Sequence, residues 1–325
     1  MRTADRIAEW TSGQARLRVL RLAGNYGILF AVLLLMVVMA IANDRFLTRQ
    51  NIFNVLDQAA PLGVLSVGVT LAIIGGIFDL STGAIFAAAA VVAAKVAAVD
   101  PWLGLAAGVL VGVGLGAVNA GVLIGTGVNS FIGTLTTSLI FRGLALIMTG
   151  GMIVSVANPS FKIVGTQALF GAKYSVFVFA AVAIICSVLL TRTAFGRSVY
   201  AIGGNQQAAR VVGIPVGRVK LGLLVISGSA AAISGVLTAT RTGSAQADIG
   251  IGLELAAITA VVVGGTSIFG GEGAVWRSIL GVLLLQIIGN AFNLMGIDSV
   301  FKQVSQGLLI LAAITIDHKI RRSEP

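Results

Sequence analysis

Apolar runs about as long as a bilayer is thick, separated by short polar or glycine-rich joins, dominate this chain. A bilayer core about 30 Å thick takes about 20 mostly apolar residues per helix. The pattern predicts ten spans: Gly27–Asn43, Asn51–Gly75, Leu80–Ala98, Trp102–Ile124, Phe131–Thr149, Tyr174–Thr191, Val219–Arg241, Leu253–Ile268, Ala274–Met295 and Val300–Ile316. The fold class expected is an all-α polytopic membrane protein with about ten transmembrane helices. Several joins are only a few residues long, as in tight helical hairpins. The fifth span carries Arg142 near its middle, which leaves open a short or re-entrant segment. Ala40-Ile41-Ala42 resembles a signal-peptide cleavage site, but the long preceding tail and apolar run read as a retained helix. The domains are therefore a basic tail (1–26), a membrane domain (27–317) and a second basic tail (318–325).

Composition agrees with the pattern. Hydrophobic residues make up 57% of the 325 and charged residues only 10%, against about 25% charged in a soluble domain. The net charge of +10 invites a nucleic-acid reading, but the basic residues follow topology instead. With the N-terminus inside, the inner segments hold Arg2, Arg6, Arg16, Arg18 and Arg21, then Arg192, Arg197, Arg210, Arg218 and Lys220, then Lys319, Arg321 and Arg322. The long loop after the fifth span, Gly150–Lys173, has only Lys162 and Lys173 and falls outside. That is the positive-inside bias, with both termini cytoplasmic, a lipid bilayer as surroundings and no nucleic-acid partner. Tyr26, Trp102, Tyr174 and Trp276 all sit at span ends, where amphipathic rings favour the headgroup zone.

Counts of reactive residues remove most enzyme chemistry. One cysteine, Cys186, and one histidine, His318, exclude an intrachain disulfide, a Cys-based metal cage and a His-based triad. No Gly-Lys dipeptide and no G-x-S-x-G occur, so the chain has no phosphate-binding P-loop and no nucleophile elbow. No metal or cofactor is expected here; any ATP and Mg would sit on another chain.

Glycine recurs at Gly104, Gly108, Gly112 and Gly116, three overlapping G-x-x-x-G units that let helix backbones approach closely. Ser227, Ala231 and Gly235 form a weaker small-residue face. Two glycine-rich breaks, Gly75–Gly83 and Gly264–Gly273, each follow an apolar span and lead into another. Asp79 and Ser81 in the first break serve either as helix caps or as a gate. Ionisable groups inside spans usually face a bundle interior or a wet cavity; besides Asp79 these are Asp57, Arg142, Glu254 and Arg277. Asp57 has no evident partner, and Glu254 is read as lying at the outer end of its span. Asn119, Asn129, Ser130, Thr134, Asn290 and Asn293 are candidates to touch a hydroxylated solute or to bond between helices. Together with Asp79, Ser81 and Arg142 they form the candidate translocation path or gate.

The inside loop 192–218 holds a helix too short to cross a membrane. Asn205 is a plausible helix N-cap and Gly213 a plausible stop, with Pro215 just beyond. A two-turn helix between them is unstable alone in water, so it docks against the body of the protein or against a cytoplasmic partner.

This loop resembles the coupling segment of permease subunits of bacterial ABC importers for monosaccharides, the ribose, xylose, arabinose and galactoside group. The pattern F-G-R-x-x-Y-A-x-G-G-N-x-x-A-A-x-x-x-G-I is matched from Phe195 to Ile214. Gly75–Gly83 resembles the family's G-G-I-D-L-S-V-G break, with Phe78 inserted and Thr82 in place of valine. Asn129–Gly151 and Gly264–Gly273 resemble two further segments, with Asn129-Ser130 where proline is common and Arg277 where a small residue is usual. The resemblance implies a type II-like permease. A second copy or close paralogue would complete the path. Two ABC ATPase domains would grip Phe195, Gly196, Arg197, Tyr200, Asn205, Ala208, Ala209, Arg210 and Gly213. A periplasmic sugar-binding protein would deliver the solute. A related group transports branched-chain amino acids, but the loop pattern resembles the sugar group. An ion-coupled secondary transporter is the main alternative, for which Asp57 and Asp79 are the only candidate carboxylates in the first half.

Overall fold

The computed structural model describes residues 27–298 together with the helical positions Phe301, Val304, Gly307, Leu308, Leu311 and Thr315. Both basic tails and most of the tenth predicted span lie outside the described residues. The helices are α1 (Gly27–Ala42), α2 (Arg49–Ile74), α3 (Thr82–Val96), α4 (Pro101–Thr126), α5 (Ser130–Thr149), α6 (Ile163–Thr166), α7 (Tyr174–Arg192), α8 (Ala194–Gly204), α9 (Gln206–Val211), α10 (Val216–Thr242), α11 (Leu253–Val263) and α12 (Val275–Leu294). Two-residue strands form two antiparallel ladders, β1 (Val154–Ser155) with β4 (Ser244–Ala245) and β2 (Ala168–Leu169) with β3 (Ala172–Lys173).

Local chemistry sets the boundaries. The Thr48 hydroxyl caps α2 by accepting from the Asn51 N–H. The Asp100 side chain caps α4, with Pro101 in its first turn, and Gly127 ends it in the left-handed region at φ 69°. The Asn129 side chain caps α5 and Gly150, at φ 60°, ends it.

Among the described residues six helices, α2, α4, α5, α7, α10 and α12, are long and apolar enough to cross a membrane; α1, α3 and α11 are apolar but shorter. This refines the ten-span reading at three places. The fifth span is a full 20-residue helix despite Arg142, because that guanidinium donates to the Ala247 carbonyl oxygen at 3.0 Å. The third span is a 15-residue helix and the eighth only 11 residues, ending at Val263 rather than Ile268. At about 1.5 Å per residue neither α3 nor α11 is by itself as long as a bilayer core is thick.

The centre of the bundle is α3, packed between α4, α10 and α5. Its first thirteen residues are buried apart from Val92. The glycine face of α4 does what its spacing predicts. Gly112 lies against Gly228 and Ala232 of α10, and Gly116 against the Leu224 carbonyl. A Cβ on Gly108 would fall 2.9 Å from the Ala89 carbonyl oxygen, and one on Gly104 2.6 Å from that of Ala93. Backbone-to-backbone packing of this kind replaces the hydrophobic driving force that lipid surroundings remove.

Asp57 is not unpartnered. It is buried in α2, and its carboxylate accepts from Lys173 Nζ and from Ser175 Oγ, each at 2.7 Å. Arg241 Nε stands 3.7 Å away. Spans far apart in sequence are clamped there, at the end of the bundle that carries the 150–173 loop.

Candidate functional site

The segment after α7 is two helices, not one short rod. Thr193 starts the first. Its hydroxyl accepts from the Gly196 N–H at 3.2 Å and donates to the Leu189 carbonyl at 2.6 Å, turning the chain sharply out of α7. Gly196 has to be glycine-sized, since a Cβ would collide with the Leu190 carbonyl and lie 2.7 Å from that of Leu189. The helix α8 then runs through Gly203 and Gly204, ahead of the Asn205 cap where the sequence predicts the helix to begin. Asn205 ends α8 and caps α9, its side chain accepting from the Ala208 N–H at 2.9 Å. The end of α9 is a Schellman turn: Ile214 N–H bonds the Ala209 carbonyl at 3.0 Å and Gly213 N–H that of Arg210 at 3.1 Å, with Gly213 at φ 84°.

One face of this unit is docked and the other is open. Val199, Ile202 and Ala209 are buried on the bundle, and Phe195 packs against Gly222 of α10. Arg197, Asn205, Ala208, Arg210 and Gly213 are exposed. Beside them Val211 and Val212 are 86% and 75% exposed. Tyr200 is half-buried, and its hydroxyl donates to the Gly273 carbonyl at 2.8 Å. Burial raises the Tyr200 hydroxyl above its ordinary pKa, partly offset by the Arg277 charge.

The docked end of α8 meets both glycine-rich breaks at one joint. Gly203 lies on the Ile74 carbonyl, and a Cβ there would come 2.5 Å from the Gly271 nitrogen. The Gly271 N–H itself donates to the Ile74 carbonyl at 2.8 Å. A Cβ on Gly270 would meet the Gly203 carbonyl at 3.0 Å and Gly76 Cα at 3.2 Å; one on Gly271 would meet Gly204 Cα at 2.9 Å. Gly76, Gly270 and Gly271 also adopt positive φ, which favours glycine. Three Gly-Gly pairs distant in sequence thus pack backbone on backbone. The doublets were legible in the sequence; their convergence was not.

The candidate path residues separate into groups. Asp79, Ser81 and Asn119 come together, joined by Ser227, which sequence reasoning treated only as a small residue. Asp79 accepts from the Ser81 N–H at 3.1 Å, from Ser81 Oγ at 2.5 Å and from Ser227 Oγ at 2.7 Å. Asn119 Nδ2 donates to Ser81 Oγ at 2.6 Å. All four are buried. Neither Asp79 nor Ser81 caps α3 in the usual way, because Ser81 at its start makes no side-chain capping bond. Ser130 and Thr134 instead satisfy the break: Phe78 N–H donates to Ser130 Oγ at 3.1 Å and Leu80 N–H to Thr134 Oγ1 at 3.0 Å. Asn129 caps α5 and is exposed. Asn290 forms a reciprocal amide pair with Asn51 at 3.0 and 2.8 Å. Asn293 is exposed near the end of α12. Arg142 is half-buried against the loop that precedes α11.

Among the described residues no group of three or more His, Cys, Asp or Glu is placed to hold a metal ion. Residues 51–314 match the family described as the permease component of the branched-chain amino acid transport system. The chain is 37% identical over 298 residues to the ribose import permease protein of Bacillus subtilis, covering 90% of this chain and 92% of the relative. It is 38% identical over 299 residues to the L-arabinose transport system permease protein of Escherichia coli, covering 91% of each. It is 36% identical over 304 residues to the D-allose transport system permease protein of Escherichia coli, covering 92% and 93%. No solved structure matches the chain. With a family match over most of its length and relatives that are transport permeases rather than enzymes, this multi-pass membrane protein belongs to the family of ABC importer permease subunits.

Proposed function

We propose that the chain is the translocation subunit of an ATP-driven importer for a monosaccharide or similar small polyol in a bacterial inner membrane. It is a type II-like permease of about ten spans, with both termini cytoplasmic. It works with a second copy or close paralogue, two ABC ATPase domains and a periplasmic binding protein. ATP and Mg are held by the ATPases, and no cofactor by this chain. The observation that carries this reading is the two-faced α8–α9 unit. Its inner side is keyed to both breaks, while Arg197, Arg210, Val211 and Val212 present a mixed basic and apolar surface outward. Closure of the ATPase pair moves that surface, and the joint at Gly203 passes the movement to the spans as a rigid-body change.

The family description names amino acids, whereas the three relatives above are named for ribose, arabinose and allose; identity over about nine-tenths of the chain favours a sugar. The ion-coupled alternative is weakened by geometry. Asp57 is engaged by Lys173, and Asp79 already accepts from three donors.

The test is reconstitution with the ATPase and binding protein in vesicles, followed by uptake of D-ribose, L-arabinose and D-allose. ATP-dependent uptake of one of them, insensitive to dissipated ion gradients and abolished by Arg197→Glu with the protein still in the membrane, is expected. Uptake that collapses with the gradients, or survives Arg197→Glu, overturns the reading.

A further inference from the structure

The two short apolar helices α3 and α11 begin inside the protein and begin against each other. A Cβ on Gly83, in the first turn of α3, would lie 2.9 Å from the Gly250 carbonyl oxygen and would fall on the Glu254 carboxylate, in the first turn of α11. Neither helix start has a side-chain cap. Their depth follows from α10. Asp79, just before α3, bonds Ser227 near the middle of that 27-residue helix. Phe86, one turn into α3, lies against Gly235. Gly83 and Glu254 therefore sit near the bilayer midplane, not at the outer end of a span as the sequence implied for Glu254.

Glu254 is unusually placed for a carboxylate at that depth. Its Oε1 accepts from the Gly252 N–H at 3.3 Å. Its Oε2 is sealed from solvent and has no donor among the described residues. The side chain is otherwise half-exposed, between the exposed Ile251 and Leu255. A charged group at a helix centre costs about 2.5–3.5 kcal/mol on insertion scales, so it faces a wet cavity or a protein neighbour rather than hydrocarbon. On the other side of the α3 start, Asn119 is 1% exposed and its Oδ1 likewise lacks a donor. Two acceptors without donors thus flank one helix start, and a buried acceptor left bare is costly. Two converging helix N-termini disfavour a cation there. Asn119 is sealed within the bundle, so of the two it is the partly exposed Glu254, between Ile251 and Leu255, that a neutral molecule with hydroxyl donors can reach.

We propose that this meeting point is the solute station at the bilayer midplane, with Glu254 accepting hydrogen bonds from the hydroxyls of the passing polyol. The inference rests on the import reading above. Its test uses the assembled transporter in vesicles. Glu254→Gln is nearly isosteric and can still accept from Gly252. It should lower sugar uptake more than tenfold while binding-protein-stimulated ATP hydrolysis stays within twofold, and Glu254→Asp should recover part of the uptake. In a Cys186→Ser background, Glu254→Cys should react with a charged, membrane-impermeant thiol reagent in the resting or the vanadate-trapped state. Wild-type uptake by Glu254→Gln, or an introduced thiol that is unreactive in both states, overturns the station. ATP-independent uptake by the unaltered transporter would defeat the import reading instead, and the thiol labelling still decides the station.

Discussion

The Tyr200 hydroxyl in α8 and the Gly273 carbonyl are 2.8 Å apart although 73 residues separate them in the chain. Their bond ties the segment proposed to meet the ATPase to the end of the second break. Tyr200→Phe deletes one hydrogen bond, about 1 kcal/mol, and keeps the ring. Sugar moved per ATP hydrolysed should fall, with folding and membrane insertion unchanged. Stability carries a matching signature. The folded Tyr200 pKa is raised by burial, so its contribution is complete below the unfolded value of about 10 and is lost as pH rises through the folded value. Tyr200→Phe should flatten that part of the alkaline unfolding profile, read by near-UV circular dichroism.

Gly203→Ala tests the joint itself. The added methyl collides with the Ile74 carbonyl and with the Gly271 nitrogen, and backbone cannot turn aside as a side chain can. Overpacking of this kind costs about 1–3 kcal/mol. We expect transport to be lost with the protein present in the membrane. Gly204→Ala, where a Cβ has open space, should transport nearly normally. Equal activity of the two variants would contradict a tight joint.

Gly213 tests the other end of the unit. A β-branched residue at φ 84° is strained by about 1–2 kcal/mol and opens the Schellman turn after α9. Gly213→Val should abolish coupled transport, and Gly213→Asn, which tolerates the left-handed region better, should restore much of it.

The Asn51–Asn290 pair locks the start of α2 to α12. Replacing either residue with leucine strands a buried amide, at a cost of about 1–3 kcal/mol. The double leucine variant should be more stable than either single one in thermal unfolding of the detergent-solubilised protein.

Asp57→Ala removes the shared partner of Lys173 and Arg241. Loss of one member of a buried ion pair costs about 3–5 kcal/mol. Because Lys173 is one-third exposed, the lower end of that range applies. Limited proteolysis within 150–173 should accelerate markedly.

Local chemistry made much of this protein legible in its sequence. Apolar run length revealed the spans, because hydrocarbon forces backbone groups to bond within a helix. The spacing of Gly104, Gly108, Gly112 and Gly116 revealed a face of close approach. Asn205, Gly213 and Pro215 marked the bounds of α9, since caps and left-handed stops act over a few residues. What the sequence could not decide was depth and partnership. Nothing local shows that Leu253 begins a half-helix rather than a span, or that Asp57 meets Lys173. Nor does anything local bring Gly76, Gly203 and Gly271 to one point. Those facts depend on how separate helices stack, and stacking is set by side chains and backbones dozens to hundreds of residues apart.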